Sequence, residues 1–261
     1  MDDSDRLINS EAYVITQTDY GEADRIYTIF SRRNGKIKAL AHGARKSKSR
    51  KAGHLQPLTL NHLMLAKGKT FWVITQADTL NPYTLIKNDL KKTASALYVF
   101  ELVNRFAPEN EPVIPLFQLI KESLDRIEKE DDHFLNIKYF EFRLLKSTGF
   151  MPNLVDCVQC GEPIQPQDQY FSAEQGGVLC PHCGIKGFNA RKISLPALRY
   201  FRFIQRSPYN ELQKARPTPE IQQEMESLML YYLTYITEKG FNTPVFLHQV
   251  EKIFKKKDSN E

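Results

Sequence analysis

The sequence lacks the features that would mark a membrane protein or a common type of enzyme. No apolar run approaches the ~18 residues that a membrane-spanning helix needs. The acidic start, Met1-Asp2-Asp3-Ser4-Asp5, is unlike a signal peptide. The chain has no G-x-x-x-x-G-K-S/T, G-x-S-x-G or H-E-x-x-H motif, and its six histidines are scattered. These absences predict a soluble, cytoplasmic protein that is not an enzyme and does not bind a membrane.

Cysteine is scarce, and all four cysteines of the 261 residues lie in two short C-x-x-C-G segments. Two residues between cysteines let the backbone aim both sulfur atoms at one ion, and the following glycine tolerates the positive φ that such a turn often requires. Two segments complete a tetrahedron with Zn–S bonds of about 2.3 Å, which leaves no position for water or substrate. We therefore expect one structural Zn²⁺ whose ligands are Cys157, Cys160, Cys180 and Cys183.

Disulfides, a dithiol redox centre and an iron site are three other interpretations of these cysteines. Disulfides need an oxidising compartment, and the N-terminus carries no export signal. A dithiol redox centre usually has one C-x-x-C at the start of a helix. Iron stays open, because Cys180-Pro-His-Cys183-Gly is similar to a rubredoxin site and tetrahedral four-sulfur sites suit both metals. His182 lies inside the second segment, but four cysteines already complete the site.

Residue periodicity predicts the domain organisation. Five runs of alternating hydrophobic and polar residues lie between positions 11 and 80, and the OB-fold is the commonest five-stranded barrel. Residues 81–152 and 191–261 have helical periodicity on both sides of the cysteine segment at 153–190. The predicted fold class is α+β, with an N-terminal five-stranded OB-fold β-barrel at 1–80 and a helical bundle into which a four-cysteine, zinc-ribbon-like module is inserted.

Three local signals predict helix boundaries in the C-terminal half. Ser194 is a predicted N-cap with Pro196 in the first turn of its helix. A second helix opens at Thr218 and is predicted to end at Gly240. The apolar residues between 246 and 254 predict a short last helix.

A basic segment, residues 45–51, lies between the third and fourth predicted strands. Five of its seven residues are cationic, so charge repulsion should make it mobile on its own. A solvated surface loop is the simplest interpretation, but on a barrel such a segment suits phosphate binding. The predicted DNA-binding cations are Arg32, Arg33, Lys36, Lys38, Arg45, Lys46, Lys48, Arg50 and Lys51.

Aromatic residues near these cations could stack on bases, although a small barrel also needs large side chains in its core. Trp72, the single tryptophan of the chain, is the best candidate for stacking. The other candidates are Tyr13, Tyr20, Tyr27 and Phe71, and we expect about two-thirds of the five rings to be core residues.

Together these motifs resemble the bacterial recombination mediator family RecO. The matching segments occur in the family's order and cover most of the chain. They are residues 19–25, 34–36, 41–46 and 55–57 in the N-terminal half, and 149–154, 157–161 and 170–180 in the C-terminal half. The resemblance implies an OB-fold, a helical domain and an inserted zinc module, in that order.

The resemblance also implies a function. Members of the family bind single- and double-stranded DNA, anneal complementary strands and act with RecR. They contact the C-terminal tail of the single-strand-binding protein and so help to load RecA onto DNA that this protein coats. We expect the same of this chain, in a bacterial cytoplasm and at the nucleoid. An RNA-binding or ribosome-associated protein is the alternative, because OB-folds and zinc ribbons occur there too.

Overall fold

A computed structural model describes residues 7–187 and 189–243 of the chain. These residues form two compact units, the first ending at Asp131 and the second beginning at Asp132. Within the described ranges, no helix combines the length and the hydrophobicity that a membrane crossing needs. The short helix predicted at 246–254 lies outside the described residues.

A closed five-stranded barrel is the centre of the first unit. Its strands follow one another in space in the order β1-β2-β3-β5-β4, and β4 pairs with β1 to close the barrel. The β3–β5 pairing is parallel and short, joining only Ala39 to Trp72 and Leu40 to Val73. This arrangement confirms the predicted OB-fold. The strands are β1 (Leu7–Tyr20), β2 (Asp24–Ser31), β3 (Gly35–Ala41), β4 (Leu60–Lys67) and β5 (Trp72–Asn81).

Side chains that alternate along the strands fill the barrel core on one face and are covered by helices on the other. In β1, Ala12 and Val14 belong to the barrel core, while Tyr13 points to the opposite face. The rings of Phe100 and Phe117 pack on Tyr13, with centroids 5.8 Å and 5.0 Å away. Burial of an aromatic side chain of this kind stabilises a fold by roughly 1.5–3 kcal/mol. These contacts therefore hold the helices of the first unit against β1.

Among the described residues of the first unit, four helices accompany the barrel. The longest, α3, starts at an N-cap in which the Asp89 carboxylate accepts the Lys92 N–H at 2.8 Å. Pro108 and Pro112 lie in the connection between α3 and α4, so neither helix continues through it. The helices are α1 (Arg50–His54), α2 (Thr84–Lys87), α3 (Leu90–Phe106) and α4 (Ile114–Lys129).

The second unit packs helices beside a small three-stranded sheet of order β7-β6-β8. Helix α7 packs against α5 and α9. The Arg143 guanidinium donates to the carbonyls of Gln205 and Ser207 at 3.0 Å and 2.6 Å, at the C-terminal end of α7. The elements are α5 (Phe134–Ser147), β6 (Gln169–Ser172), β7 (Gly177–Leu179), α6 (Pro181–Lys186), β8 (Arg191–Ile193), α7 (Leu195–Arg206), α8 (Tyr209–Leu212) and α9 (Pro219–Thr237).

The structure tests two of the predicted helix boundaries. The Ser194 hydroxyl accepts the Ala197 N–H at 3.3 Å, which confirms the N-cap of α7. Helix α9 ends at Thr237, because Glu238 takes the left-handed conformation with φ 53°. The predicted end at Gly240 is therefore wrong, and the chain has already left the helix there.

Candidate metal centre and nucleic-acid surface

The four cysteine sulfur atoms meet at one point of the second unit. They lie within 4.8 Å of one another, and the Sγ atoms of Cys160 and Cys180 are 4.0 Å apart. A tetrahedral site with bonds of about 2.3 Å needs sulfur atoms roughly 3.8 Å apart, whereas a disulfide bond measures about 2.05 Å. All four cysteines are free thiols. The donor set therefore fits a metal ion that it could hold, and does not fit a disulfide.

The two glycines that follow the cysteine pairs have different roles. Gly161 has a φ of +78° and donates its N–H to the Cys157 carbonyl at 2.8 Å, as the sequence predicts for such a turn. Gly184 is not among the positive-φ residues of the described chain. A Cβ atom at Gly184 would overlap the ring of Tyr170. Glycine is therefore needed at 161 for its backbone conformation and at 184 for close packing.

The electrostatics of the cluster favour a cation. Burial opposes ionisation of Cys157, but N–H groups of Cys160, Cys180 and Gln159 lower its pKa to about 6. The Cys180 N–H donates to the Cys157 sulfur at 3.3 Å. Burial and the neighbouring thiols raise the pKa of Cys183 to about 12. Four thiolates in this space thus repel one another unless a cation lies between them.

The basic segment of the first unit is a series of turns that leads into α1. The Lys46 N–H donates to the Gly43 carbonyl at 3.1 Å, and the Ser49 hydroxyl accepts the Ala52 N–H at 3.4 Å as the N-cap of α1. Lys51 donates from Nζ to the Ile74 carbonyl of β5 at 3.0 Å. The segment therefore has local hydrogen bonds and is anchored to the barrel by Lys51. Its charge alone predicted a mobile segment.

The Asp19 carboxylate, at the end of β1, holds the start of the basic segment. Arg45 Nε lies 3.3 Å from Asp19 Oδ2, and its Nη1 donates to the Gly21 carbonyl at 2.9 Å. The Arg25 guanidinium donates to the same carboxylate at 2.9 Å. Arg25 first, and Arg45 after it, hold the pKa of Asp19 below its usual value. Arg45 is thus engaged within the barrel unit.

Asp24 makes a second contact of this kind. Its carboxylate accepts the Gly43 N–H at 2.7 Å and lies 2.8 Å from Nδ1 of His42. The hydrogen bond from Gly43, followed by that from His42, lowers the pKa of Asp24. The ionised carboxylate therefore fixes the direction in which the chain leaves β3 and enters the basic segment.

The predicted DNA-binding cations fall into two groups. Arg32 pairs with Glu11 at 3.1 Å, and Lys36 donates from Nζ to the Asn104 carbonyl at 2.8 Å. Together with Arg45 and Lys51, these residues already have partners. The second group is exposed, and none of its members forms an ion pair among residues 7–187 and 189–243. It consists of Arg33, Lys38, Lys46, Lys48 and Arg50.

A groove of about 330 Å³ lies beside the short parallel seam of the barrel. Its floor is β3 with Lys36 and Lys38, and one wall is the β4–β5 turn, residues 67–72. The α3–α4 connection forms the other wall, where the Asn110 N–H donates to the Lys36 carbonyl at 2.9 Å. Burial lowers the pKa of Lys36. The groove thus combines cations, polar groups and an aromatic wall.

The five aromatic candidates differ in whether they are buried in the core or lie at the surface. Tyr13 and Tyr27 are 0% exposed, so these two candidates are core residues, as was expected of about two-thirds of the five rings, and they cannot stack on bases. Trp72 packs against the barrel core on one side and lines the groove. Phe71 also lines the groove and meets Tyr20 edge-on, with ring centroids 6.3 Å apart. Three rings therefore remain near the candidate nucleic-acid surface.

Lys67 and Lys69 were not among the DNA-binding cations predicted from the sequence. Both are exposed and line the groove. The connection between the fourth and fifth strands is a common binding loop of OB-folds. A Lys-Gly-Lys sequence in that connection could therefore have identified these two lysines as candidate DNA-binding residues.

These features define a class of protein, an OB-fold barrel with a basic surface, joined to a helical region with a four-cysteine module. Family models match both halves of the chain: Recombination protein O N terminal covers residues 5–83, and Recombination protein O C terminal covers residues 87–243. The chain therefore belongs to the RecO family, as the sequence motifs predicted, and has a role in DNA repair and recombination.

Individual relatives agree with the family models. A protein from Dehalococcoides mccartyi is 32% identical over 230 residues, which is 88% of this chain and 90% of the relative. One from Roseiflexus sp. is 33% identical over 251 residues, 96% of this chain and 88% of the relative. One from Desulforamulus reducens is 31% identical over 247 residues, which is 95% of this chain and 96% of the relative. All three are named DNA repair protein RecO.

Proposed function

We propose that this protein is a mediator without enzymatic activity that binds single- and double-stranded DNA through its barrel. The observation that carries the proposal is the group of exposed cations on the barrel unit: Arg33, Lys38, Lys46, Lys48 and Arg50. No ion pair within the described ranges occupies them. Contacts to phosphates position a protein on DNA without reading the base sequence. Binding of this kind suits a protein that acts wherever DNA is damaged.

Strand annealing follows from the same electrostatics. Cations that neutralise phosphates lower the repulsion between two complementary strands, so the strands can approach and pair. Membership of the RecO family supports the further proposals that the protein acts with RecR and contacts the tail of the single-strand-binding protein. It would thereby help to load RecA at the nucleoid in the cytoplasm.

We also propose that the cysteine cluster binds one structural Zn²⁺. Four thiolates favour zinc or iron, and a complete tetrahedron of protein ligands leaves no position for a substrate. The metal would neutralise the sulfur atoms and hold the two C-x-x-C-G segments together. Elemental analysis of the purified protein should give one zinc per chain, whereas strong visible absorbance would identify iron.

A salt titration of affinity tests the DNA-binding proposal. If about five cations each neutralise one phosphate, log K should fall against log salt with a slope of about −3.5 on single strands and about −4.5 on duplex DNA. Replacing Lys46, Lys48 and Arg50 by alanine removes three of these contacts. We expect the slope on single strands to become shallower by about 2.

A matched variant controls for the loss of positive charge. Lys87, Lys91 and Lys129 lie on helices of the same unit, outside the groove and the basic segment. Their replacement by alanine should leave the slope nearly unchanged. If the basic-segment variant keeps the affinity and the slope of the original protein, the segment does not bind DNA. A preference for structured RNA over single-stranded DNA, in direct competition, would favour the RNA-binding alternative.

A further inference from the structure

We propose that the groove beside the parallel seam is a pocket for one unpaired nucleotide of a DNA strand. The base would stack on Trp72, and the phosphates on either side of it would contact Lys38, Lys67 and Lys69. This inference rests on the proposed function, which requires only that the barrel bind DNA. It adds where on the barrel a single nucleotide is held, and by which chemical groups.

The size of the groove limits what it can accept. Its volume of about 330 Å³ is at the lower end of the range for small-molecule pockets, which begins near 300 Å³. One nucleotide fits this volume, but a base pair within a duplex does not. A base can enter only after it has left the stack, which costs least in a single strand. The groove therefore favours unpaired DNA over duplex DNA.

The seam explains why a groove exists at this position. β5 pairs with only two residues of β3, Ala39 and Leu40, and the rest of that edge of β3 is left to other partners. Farther along β3, the backbone of Lys36 forms an isolated parallel β-bridge with Glu109 of the α3–α4 connection. Lys38 lies between these two pairings and is exposed. The opening is thus part of the strand pairing of the barrel and does not depend on a side-chain rotamer.

Positive charge on the floor of the groove and on its β4–β5 wall is available to a phosphate. Lys38, Lys67 and Lys69 are exposed and form no ion pair with any residue that the structure describes. Lys36 has a different role. Its Nζ donates to the Asn104 carbonyl at 2.8 Å, so it holds the opposite wall in place. Three lysines around one cavity suit the phosphates of a strand.

The opposite wall has a different character, which orients the nucleotide. Glu109 presents an exposed carboxylate there, and Asn104 and Asn110 line the same side. A carboxylate repels phosphate, while carboxylate and amide groups form hydrogen bonds with the edges of bases. The phosphates therefore lie toward the β4–β5 turn, and the base edge faces the α3–α4 connection. Trp72, packed on the barrel core, offers its remaining surface to the base.

The single tryptophan makes the proposal directly measurable, because all indole fluorescence of the full-length protein comes from Trp72. The probes are a short oligothymidylate, a strand of equal length in which abasic sites replace every base, and a duplex of equal length. Binding of each probe is measured separately by anisotropy of a terminal dye. We expect all three to bind at low salt, and only the oligothymidylate to quench Trp72 strongly.

The outcomes separate the pocket from DNA binding itself. Equal quenching by the oligothymidylate and the abasic strand, or no quenching by either despite binding, would overturn the pocket and leave the proposed function intact. Failure of all probes to bind at low salt would overturn the proposed function as well. Strong quenching by the duplex would also contradict the pocket, because its bases remain stacked.

Variants then test the lysines of the groove. Lys67→Ala with Lys69→Ala should weaken oligothymidylate binding by about tenfold and reduce the quenching at saturation. The control is Lys91→Ala with Lys129→Ala, which removes the same charge from helices of the same unit. Equal losses in both variants would show a general charge effect and overturn the lysine contacts. Because the lysines are exposed, neither variant should alter the fold, which circular dichroism checks.

Discussion

The cysteine cluster of the second unit and the cations of the barrel show two ways of building a site. The four sulfur atoms lie within 4.8 Å of one another, so the protein itself supplies a complete set of ligands for one ion. The barrel leaves Arg33, Lys38, Lys46, Lys48 and Arg50 exposed and without an ion pair in the described ranges. A site whose ligands all come from its own chain would stabilise the fold, whereas exposed cations without an ion pair are available to a binding partner. The cysteine cluster should therefore affect stability and the exposed cations should affect binding, and mutations can test this difference.

The largest expected effect is the loss of a cysteine ligand. Cys157→Ser removes a buried sulfur that accepts the Cys180 N–H, and the remaining three thiols no longer form the closed four-ligand set of a structural site. We expect loss of stoichiometric metal and of the cooperative unfolding of the second unit, because metal binding contributes to folding in such modules. Elemental analysis and thermal unfolding measure both.

His182→Ala is the matched control for this cysteine variant. His182 lies in the second C-x-x-C-G segment and is exposed, with Nε2 3.3 Å from Lys186 Nζ. The variant should keep one metal per chain. Loss of the metal in His182→Ala would show that the ligand set differs from four cysteines. A Cys157→Ser protein that retains both metal and stability would remove the structural role of the cluster.

The next largest effect is expected at Lys138, a cation that already forms an ion pair within the chain. Lys138 is buried in α5, and its Nζ lies 2.9 Å and 2.7 Å from the two carboxylate oxygens of Glu141, which is also buried. Lys138→Met removes the cation of this buried pair, and breaking a buried pair in this way costs about 3–5 kcal/mol. We expect chemical denaturation to show this loss, with DNA affinity of the folded protein unchanged. A fall in affinity without a fall in stability would contradict the distinction between paired and exposed cations.

Two adjacent arginines of the barrel differ in whether a carboxylate pairs with them. Arg32 pairs with Glu11 at 3.1 Å, whereas its exposed neighbour Arg33 has no ion pair among the described residues. Arg33→Ala should weaken binding to single-stranded DNA about threefold to tenfold and make the salt slope shallower by about 0.7. Arg32→Ala should have a smaller effect, because binding through Arg32 must first compete with Glu11. The reverse order, measured by anisotropy at several salt concentrations, would show that this ion pair does not limit the use of Arg32.

Local sequence patterns predicted those parts of the molecule that depend on local chemistry. Alternation along the chain gave the five strands, the spacing of the C-x-x-C-G segments gave the sulfur cluster, and Ser194 gave an N-cap. The failures involve contacts between distant residues. Lys36 has the same alternating pattern as Lys38, but its amine reaches the Asn104 carbonyl, 68 residues away. Tyr13 is on the outer face of β1, where Phe100 and Phe117, about 90 to 100 residues away in the chain, bury it.

The smallest predicted effect concerns the pH dependence of the contact at Asp24. The Gly43 N–H and then His42 lower the pKa of this carboxyl from an ordinary value of 3.8. A folded-state pKa below the unfolded value gives stability that is fully present above pH 3.8 and is lost as the pH falls through the lower, folded-state pKa. The Gly43 amide resonance should therefore titrate with a midpoint below 3.8, and His42→Gln should move this midpoint upward. A midpoint at or above 3.8 in the unmodified protein would contradict the contact.

Asp24→Ala, which removes both the charge and the hydrogen-bond acceptor, also tests whether this carboxylate positions the basic segment or merely competes with DNA. Removal of a negative charge beside Lys46 should, by Coulomb attraction alone, increase DNA affinity. If the contact with Gly43 instead fixes the direction of the segment, its loss should weaken binding by about twofold to threefold, with the salt slope unchanged because every cation is still present. We expect the second result, since the carboxylate accepts a 2.7 Å hydrogen bond from the residue that begins the turn into the segment. A gain in affinity would show that Asp24 acts only as a competing charge.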